Sequence, residues 1–219
     1  MPSYLFVKGE GLTLEQLGAF CRFLGNMKEQ LLFDYLSKFI ALTKEEKDIL
    51  MSKLTYRSYL KGQYLVQQGD ICLYDSFVVK GCLRTFHVDP EGHEHIIRFA
   101  IENWWTADMG SFINRTPADY NVQCLEPTEV FQFSWDTLQE IFALIPSFER
   151  FFRIIIQNAF VASEKRIVRN FSLPAKERYL IFSELYPQLE QRVPQYMIAS
   201  YLGITKQYLS EIRNQLANG

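Results

Sequence analysis

Apolar positions along the chain recur with two different periods, and each change of period marks a change of element. Residues 28–54 carry helical spacing. In KEQLLFDYLSKFI, Leu31, Leu32, Tyr35 and Phe39 share a face, and TKEEKDILMSKL opens with Thr43 and Glu46 spaced as a capping box. From Tyr56 to Phe133 the period falls to two, in the runs YRSYL, YLVQQ, YDSFVVKG, CLRTFHV, HIIRFA, YNVQCL and VFQFS. Lys61-Gly62, Gly69-Asp70, Lys80-Gly81 and Asp89-Pro90-Glu91-Gly92 punctuate them. Many short strands broken in this way predict a sandwich, jelly roll or small barrel, whose interior is a natural ligand site.

Helical spacing returns at Trp135. DTLQEIFALI predicts a short helix, and residues 146–172, opened by Pro146, a long one. Phe148, Phe152, Ile155, Ala159 and Ala162 follow a 4-3-4-3 spacing, and Phe151, Ile154, Ile156, Phe160 and Ile167 add a second apolar face. One face lies on the barrel; the other predicts a partner helix in the manner of a coiled coil, with a buried helix in a monomer as the alternative. Ser172-Leu173-Pro174 ends the helix. In AKERYLIFSELYPQL, Ala175, Tyr179, Phe182 and Leu185 are placed to pack beneath the C-terminal segment.

That segment is VPQYMIASYLGITKQYLSEIRNQL, residues 193–216. Pro194 suits the first turn of a helix, Ile198, Ala199 and Leu202 recur at helical spacing, and Gly203 stops it. Thr205 is an N-cap for a second helix whose stripe is Leu209, Ile212 and Leu216. A small residue where the backbones approach, a glycine corner and a fresh N-cap predict a helix-turn-helix, whose second helix enters the DNA major groove. An αα-hairpin that only packs is the alternative.

The net charge of −2 excludes a uniformly basic nucleic-acid binder, but the charge is uneven. Residues 165–219 hold eight basic and four acidic residues, whereas residues 1–164 hold fifteen and twenty-one, so the basic excess sits with the helix-turn-helix. No run is apolar for long enough to cross a membrane, and MPSYLFVKGEG lacks the basic start and apolar stretch of a leader, so a cytoplasmic location is expected. Cys21, Cys72, Cys82 and Cys124 are scattered, which predicts free thiols rather than a cluster site.

The order of elements, with LPAKERYL at the hinge, VPQ…IASYLGIT…LSEIR at the end, and KGQYLVQQGD and VVKGCLRTFHVDPEGHEHIIRFAIENWW in the barrel, resembles the cyclic-AMP receptor protein (Crp/Fnr) family over about residues 28–217, most of all its Bacteroidetes-type branch. The resemblance implies an α+β fold: an N-terminal cyclic-nucleotide-binding-type β-barrel (jelly roll), a long dimerisation helix and a C-terminal helix-turn-helix of winged-helix-like kind. The expected division is an extension at 1–26, a sensor barrel with helical lead-in at 27–145, a dimerisation helix at 146–172 and a DNA-binding domain at 173–219. In the extension, LTLEQLGAFCRFL has helical spacing behind Thr13, and Met27 begins a segment that would make an ordinary N-terminus by itself.

The implied function is a dimeric transcription regulator that is not an enzyme, with double-stranded DNA bearing a near-palindromic operator, a second copy of the chain and RNA polymerase as partners. Lys206, Gln207 and Glu211 stand at the base-reading positions; Thr205, Tyr208, Ser210 and Arg213 complete the DNA-facing set, the last three as phosphate candidates. Glu211 departs from the arginine of the cyclic-AMP receptor protein, which predicts a different operator.

In the cyclic-AMP-binding members a Gly-Glu pair takes the ribose and an Arg-Ser pair the cyclic phosphate. Here Ala107-Asp108 and Ala118-Asp119 stand at those positions within WTADMGSFINRTPADYNVQCL. An aspartate facing a phosphate repels it, so cyclic AMP is not expected to bind in the usual way. Trp105, Asp108, Met109, Gly110, Ser111, Arg115, Asp119 and Tyr120 are the ligand-pocket candidates, for an unidentified small-molecule effector. No cofactor is assigned. His93 and His95 offer two metal ligands without a clear third, so no metal is assigned. Two other functions stay open: a sensing module that has lost DNA binding, supported by Glu211, and a metal-dependent cupin-like enzyme, which leaves the C-terminal helices without a role.

Overall fold

The computed structural model describes residues 25 and 27–218. A helical lead-in comprises α1 (residues 27–36) and α2 (Lys44–Lys53). The capping box forms as predicted: the Glu46 amide donates to Thr43 Oγ1 at 3.1 Å and the Thr43 amide to Glu46 Oε2 at 2.8 Å. The extension assigned to 1–26 lies, Gly25 apart, outside the described residues.

Eight strands come next: β1 (Thr55–Tyr59), β2 (Tyr64–Val66), β3 (Tyr74–Lys80), β4 (Leu83–Val88), β5 (Glu94–Ala100), β6 (Trp105–Thr106), β7 (Asn121–Cys124) and β8 (Thr128–Ser134). They build two four-stranded antiparallel sheets, ordered β1-β8-β3-β6 and β2-β7-β4-β5, within the sandwich, jelly-roll or small-barrel class that the turn spacing predicted. The sharp exit from β3 requires glycine. Gly81 has φ +120°, and a Cβ there would stand 2.4 Å from Thr128 Oγ1. A short helix α3 (Met109–Asn114) lies between β6 and β7.

Helices α4 (Trp135–Leu144) and α5 (Pro146–Ser172) close the barrel, the long helix spanning the residues its periodicity marked out. Phe77, Phe112, Phe133, Phe148 and Phe151 are fully buried, sealed by Leu32 and Leu36 of α1. Trp105 joins them, with ring centroids 5.3 Å from Phe77 and 5.2 Å from Phe133. These tilted contacts add to the area each ring removes from water.

The helices α6 (Ala175–Leu185), α7 (Leu189–Arg192), α8 (Gln195–Leu202) and α9 (Lys206–Ala217) complete the chain. Among the described residues this region is helical throughout, with no strand to form a wing. A second core joins it to the barrel, because Phe86, Ile96 and Phe99 of the sheet and Ile101 just beyond β5 pack with Tyr179, Phe182, Met197, Ile198, Leu209 and Ile212. Ala175, Tyr179 and Phe182 are buried as predicted. Leu185, the last residue of α6, is exposed, and Leu189 of α7 is buried in this core.

Polar contacts fix the same junction. β5 is a sheet edge, and Ser200 of α8 satisfies it by accepting from the Ile96 amide at 3.0 Å and donating to the Glu94 carbonyl at 3.2 Å. The Arg166 guanidinium of α5 donates to the Ile96, Ile97 and Tyr201 carbonyls and stacks on the Tyr201 ring. Arg192 grips Glu102 at 2.7 and 3.0 Å and Glu126 at 2.5 Å.

Candidate nucleic-acid interface and ligand cradle

The helix-turn-helix forms from the residues that predicted it. Gly203 ends α8 in the left-handed region (φ 67°, ψ 37°), and the next amide, Ile204, returns to the Ala199 carbonyl at 3.0 Å. Thr205 caps α9, its Oγ1 accepting from the Tyr208 amide at 3.2 Å. Pro194 stands one place before α8, as its N-cap residue. Leu209 and Ile212 are buried, and Leu216 packs partly against them. The face opposite that stripe presents Lys206, Gln207, Ser210 and Glu211, all exposed, with Thr205 and Tyr208 at its N-terminal end; Arg213 is half-buried at its margin. One helix face therefore offers a cation, an amide, a hydroxyl and a carboxylate to solvent, the side-chain types that read base edges.

The barrel end of α3 is a cradle of backbone donors, and a side chain of the protein fills it. Asp108, only 2% exposed, is the N-cap of α3. One carboxylate oxygen accepts from the Ser111 amide at 3.0 Å, the other from the Asp119 and Tyr120 amides at 2.9 and 3.1 Å. Ser111 is tied in by its hydroxyl, which accepts from the Cys72 amide at 2.8 Å and donates to the Thr116 carbonyl at 2.6 Å. Three converging N–H groups at a helix start form an anion site, and here the anion is internal.

The cradle differs from the sequence reading at Asp119, and two of the other pocket candidates, Arg115 and Trp105, lie outside it. Asp119 was expected to be the repelling carboxylate, but its side chain is exposed and it contributes its amide; Asp108 supplies the charge. Arg115 does not substitute for a phosphate-binding arginine. It is the left-handed C-cap of α3 (φ 58°), and its side chain turns to Asp136 at 3.0 Å. Trp105 belongs to the aromatic core rather than the cradle. Asp108, Ser111, Asp119 and Tyr120 are drawn together; Met109 is half-buried and Gly110 exposed on the first turn of α3.

Sequence reasoning missed two charged residues beside the cradle. Arg98 of β5 donates to the Ala107 carbonyl; burial lowers its proton affinity, while the charges of Asp75 and Asp108 act to raise it. Asp75 of β3 is wholly buried, and desolvation pushes its carboxyl up to about 6 against the pull of the Ser76 amide and Arg98. Their signal was a charge inside a strand with apolar neighbours, YDSFVV and HIIRFA.

The β4–β5 hairpin brings its histidines to a third residue that the sequence did not suggest. His95 Nε2 lies 2.7 Å and His93 Nδ1 3.4 Å from Asp89 Oδ2. The hydrogen bond from His95 holds the Asp89 carboxyl down at about 2. Ligand atoms of Asp89, Glu91 and His93 lie within 4.8 Å of one another at this exposed tip. Cys72, Cys82 and Cys124 are buried free thiols, and burial pushes Cys72 up to about 11 and Cys82 up to about 12, out of reach of thiolate chemistry near neutral pH.

Residues 56–144 match the family model described as the cyclic nucleotide-binding domain. The transcriptional activator protein FnrA of Stutzerimonas stutzeri is 32% identical over 94 residues, 43% of this chain and 38% of that protein, so the match spans well under half of that relative. Among solved structures, the c-di-GMP-responsive global regulator CLP of Xanthomonas campestris superposes with a TM-score of 0.65 at 14% identity, covering 80% of this chain and 92% of that one. FixK2 from Bradyrhizobium japonicum gives a TM-score of 0.64 at 17% identity, covering 75% and 85%. At these identities the superpositions establish the fold. No helix among the described residues is long and apolar enough to cross a membrane.

Proposed function

We propose that this chain is a Crp/Fnr-type transcription regulator that works as a homodimer, reads a near-palindromic DNA site and is not switched by cyclic AMP in the usual manner. The observation that carries the reading is the exposed stripe Lys206, Gln207, Ser210 and Glu211 on a capped helix whose opposite face is locked into the core. Two such helices in a symmetric dimer reach successive major grooves about 34 Å apart. Lys206 suits guanine O6 and N7, Gln207 adenine, and Glu211 a cytosine amine.

The sensor speaks to this helix through the junction with β5. Arg166 belongs to the long helix, yet its partners lie on β5 and α8, so a change in the barrel and a change in the helix-turn-helix share one set of contacts. An effector acts by favouring one of two arrangements of that junction. The filled cradle supports an effector other than cyclic AMP. We extend the reading to a cytoplasmic regulator without catalytic activity, acting with RNA polymerase. The alternative of a sensing module without DNA binding draws on Glu211 and the net charge of −2.

Lys206→Ala tests the reading face. It is expected to weaken operator binding by about 1–3 kcal/mol and to relax preference at a single base pair. Gel-shift titrations against operators varied at each position measure both. Unchanged affinity together with unchanged preference would remove Lys206 from the interface.

A further inference from the structure

A cleft of about 420 Å3 lies between α5, α6 and α8, away from the barrel cradle. Lys165, Arg166, Arg169 and Arg178 line it, and no carboxylate does so among the described residues. None of the four is in an ion pair among those residues. Their hydrogen bonds go to neutral carbonyls: Arg178 donates to the Asn170 carbonyl at 2.8 Å, and Arg166 to the junction described above. The Nε atoms of Arg166 and Arg178 are buried without a partner. The floor is apolar and aromatic, from Phe182, Tyr186 and Tyr201. Four like charges around one hollow repel each other, and carbonyls answer their hydrogen bonds but not their charge.

We propose that this cleft is a binding site for a small aromatic anion, whose negative group meets the four cations while its ring lies on the aromatic floor. The volume falls in the range of small-molecule sites, roughly 300–1,000 Å3. The position gives the ligand a consequence. Lys165 and Arg169 precede the Leu173-Pro174 break and Arg178 comes after it, so an anion between them ties the long helix to the DNA-reading domain across the hinge. Dimerisation leaves the cleft free. At about 100° per residue, Asn158, Ala162, Lys165 and Arg169 fall on one side of α5, and the exposed Ile156, Phe160, Ile167 and Phe171 on the other.

The test uses two fluorescent probes of similar body on the full-length protein: the anion 1-anilinonaphthalene-8-sulfonate and the uncharged N-phenyl-1-naphthylamine. The sulfonate is expected to saturate at one equivalent per chain and to weaken as salt is added. K165E/R169E changes exposed or half-exposed side chains only, and is expected to weaken the sulfonate at least tenfold while altering the neutral probe less than about twofold, a difference of about fivefold or more between the probes. Arg178→Gln, which keeps a hydrogen-bonding head, is expected to act in the same direction. The proposal is overturned by an absence of saturable sulfonate binding, by variants that bind it as wild type does, or by equal losses for both probes. None of these readouts depends on DNA binding, so failure here and failure of the regulator reading are told apart.

Discussion

Asp108→Ala is expected to destabilise the sensor barrel by about 3 kcal/mol or more, and inorganic phosphate is expected to restore part of the loss. The substitution strips the partner from the amides of Ser111, Asp119 and Tyr120 in a site that is 2% exposed. Each buried group left unsatisfied costs about 1–3 kcal/mol, and loss of an N-cap alone costs about 1 kcal/mol. Arg98 also loses one of its two neighbouring carboxylates. A phosphate oxygen seated where the carboxylate was would answer the same donors. Urea denaturation of wild type and variant, with and without phosphate, measures both effects. A loss under about 1 kcal/mol, or equal protection of both proteins by phosphate, would show that Asp108 is not the cradle's resident anion. By the same logic wild-type protein gives no saturable heat with micromolar cyclic AMP, because the nucleotide's phosphate and the Asp108 carboxylate compete for one set of N–H groups.

The second large effect concerns the long helix. Phe160→Glu combined with Ile167→Glu is expected to convert the protein to a monomer and to weaken operator binding by about a hundredfold or more. Phe160 is 63%, Ile167 55% and Phe171 88% exposed in the single chain, and together with Ile156 they form one stripe along α5. Large apolar side chains in a row mark a face that another surface covers. Placing carboxylates on that stripe sets like charges opposite each other in a two-fold pair. Because the side chains are exposed, the fold of each chain is left intact, so an unchanged far-ultraviolet circular-dichroism spectrum serves as the control, while loss of the partner lowers the melting temperature. Sedimentation equilibrium reads the association state. A variant that stays dimeric would move the seam elsewhere, and a monomer that keeps full operator affinity would end the two-half-site account.

The long helix also shows where the sequence was ambiguous. Two apolar stripes on 146–172 are equally regular, and the 4-3-4-3 set of Phe148, Phe152, Ile155, Ala159 and Ala162 fits a coiled coil. In the fold, Phe148 and Phe152 are buried on the barrel, Ile155 packs beside them, and Ala159 and Ala162 are exposed, with Ala162 lining the cleft. Periodicity specifies how many faces a helix buries but not which neighbour takes each. The capping box at Thr43, the corner at Gly203 and the cap at Thr205 were legible because their chemistry is local.

Strand β6 was not legible, since two residues carry no period; its place is set by pairing Ser76 with Thr106 and Phe77 with Trp105. The cradle was half legible. Its residues lie in one stretch, but the role of Asp108 depends on amides 11 and 12 positions away that the turn before β7 brings back to it. Ser200 on the β5 edge joins residues 104 positions apart and left no local mark. Local signals thus marked the elements, while long-range polar contacts decide what the cradle holds and where the C-terminal helices sit against the sheet.

Two copies of α9 are expected to read one near-palindromic site. Selection of bound sequences from a random duplex library by the full-length protein tests it most directly. The account predicts enrichment of an inverted repeat whose half-site centres lie about 10 base pairs apart. Recovered sequences indistinguishable from the input library, or a single half-site without its inverted copy, would contradict it.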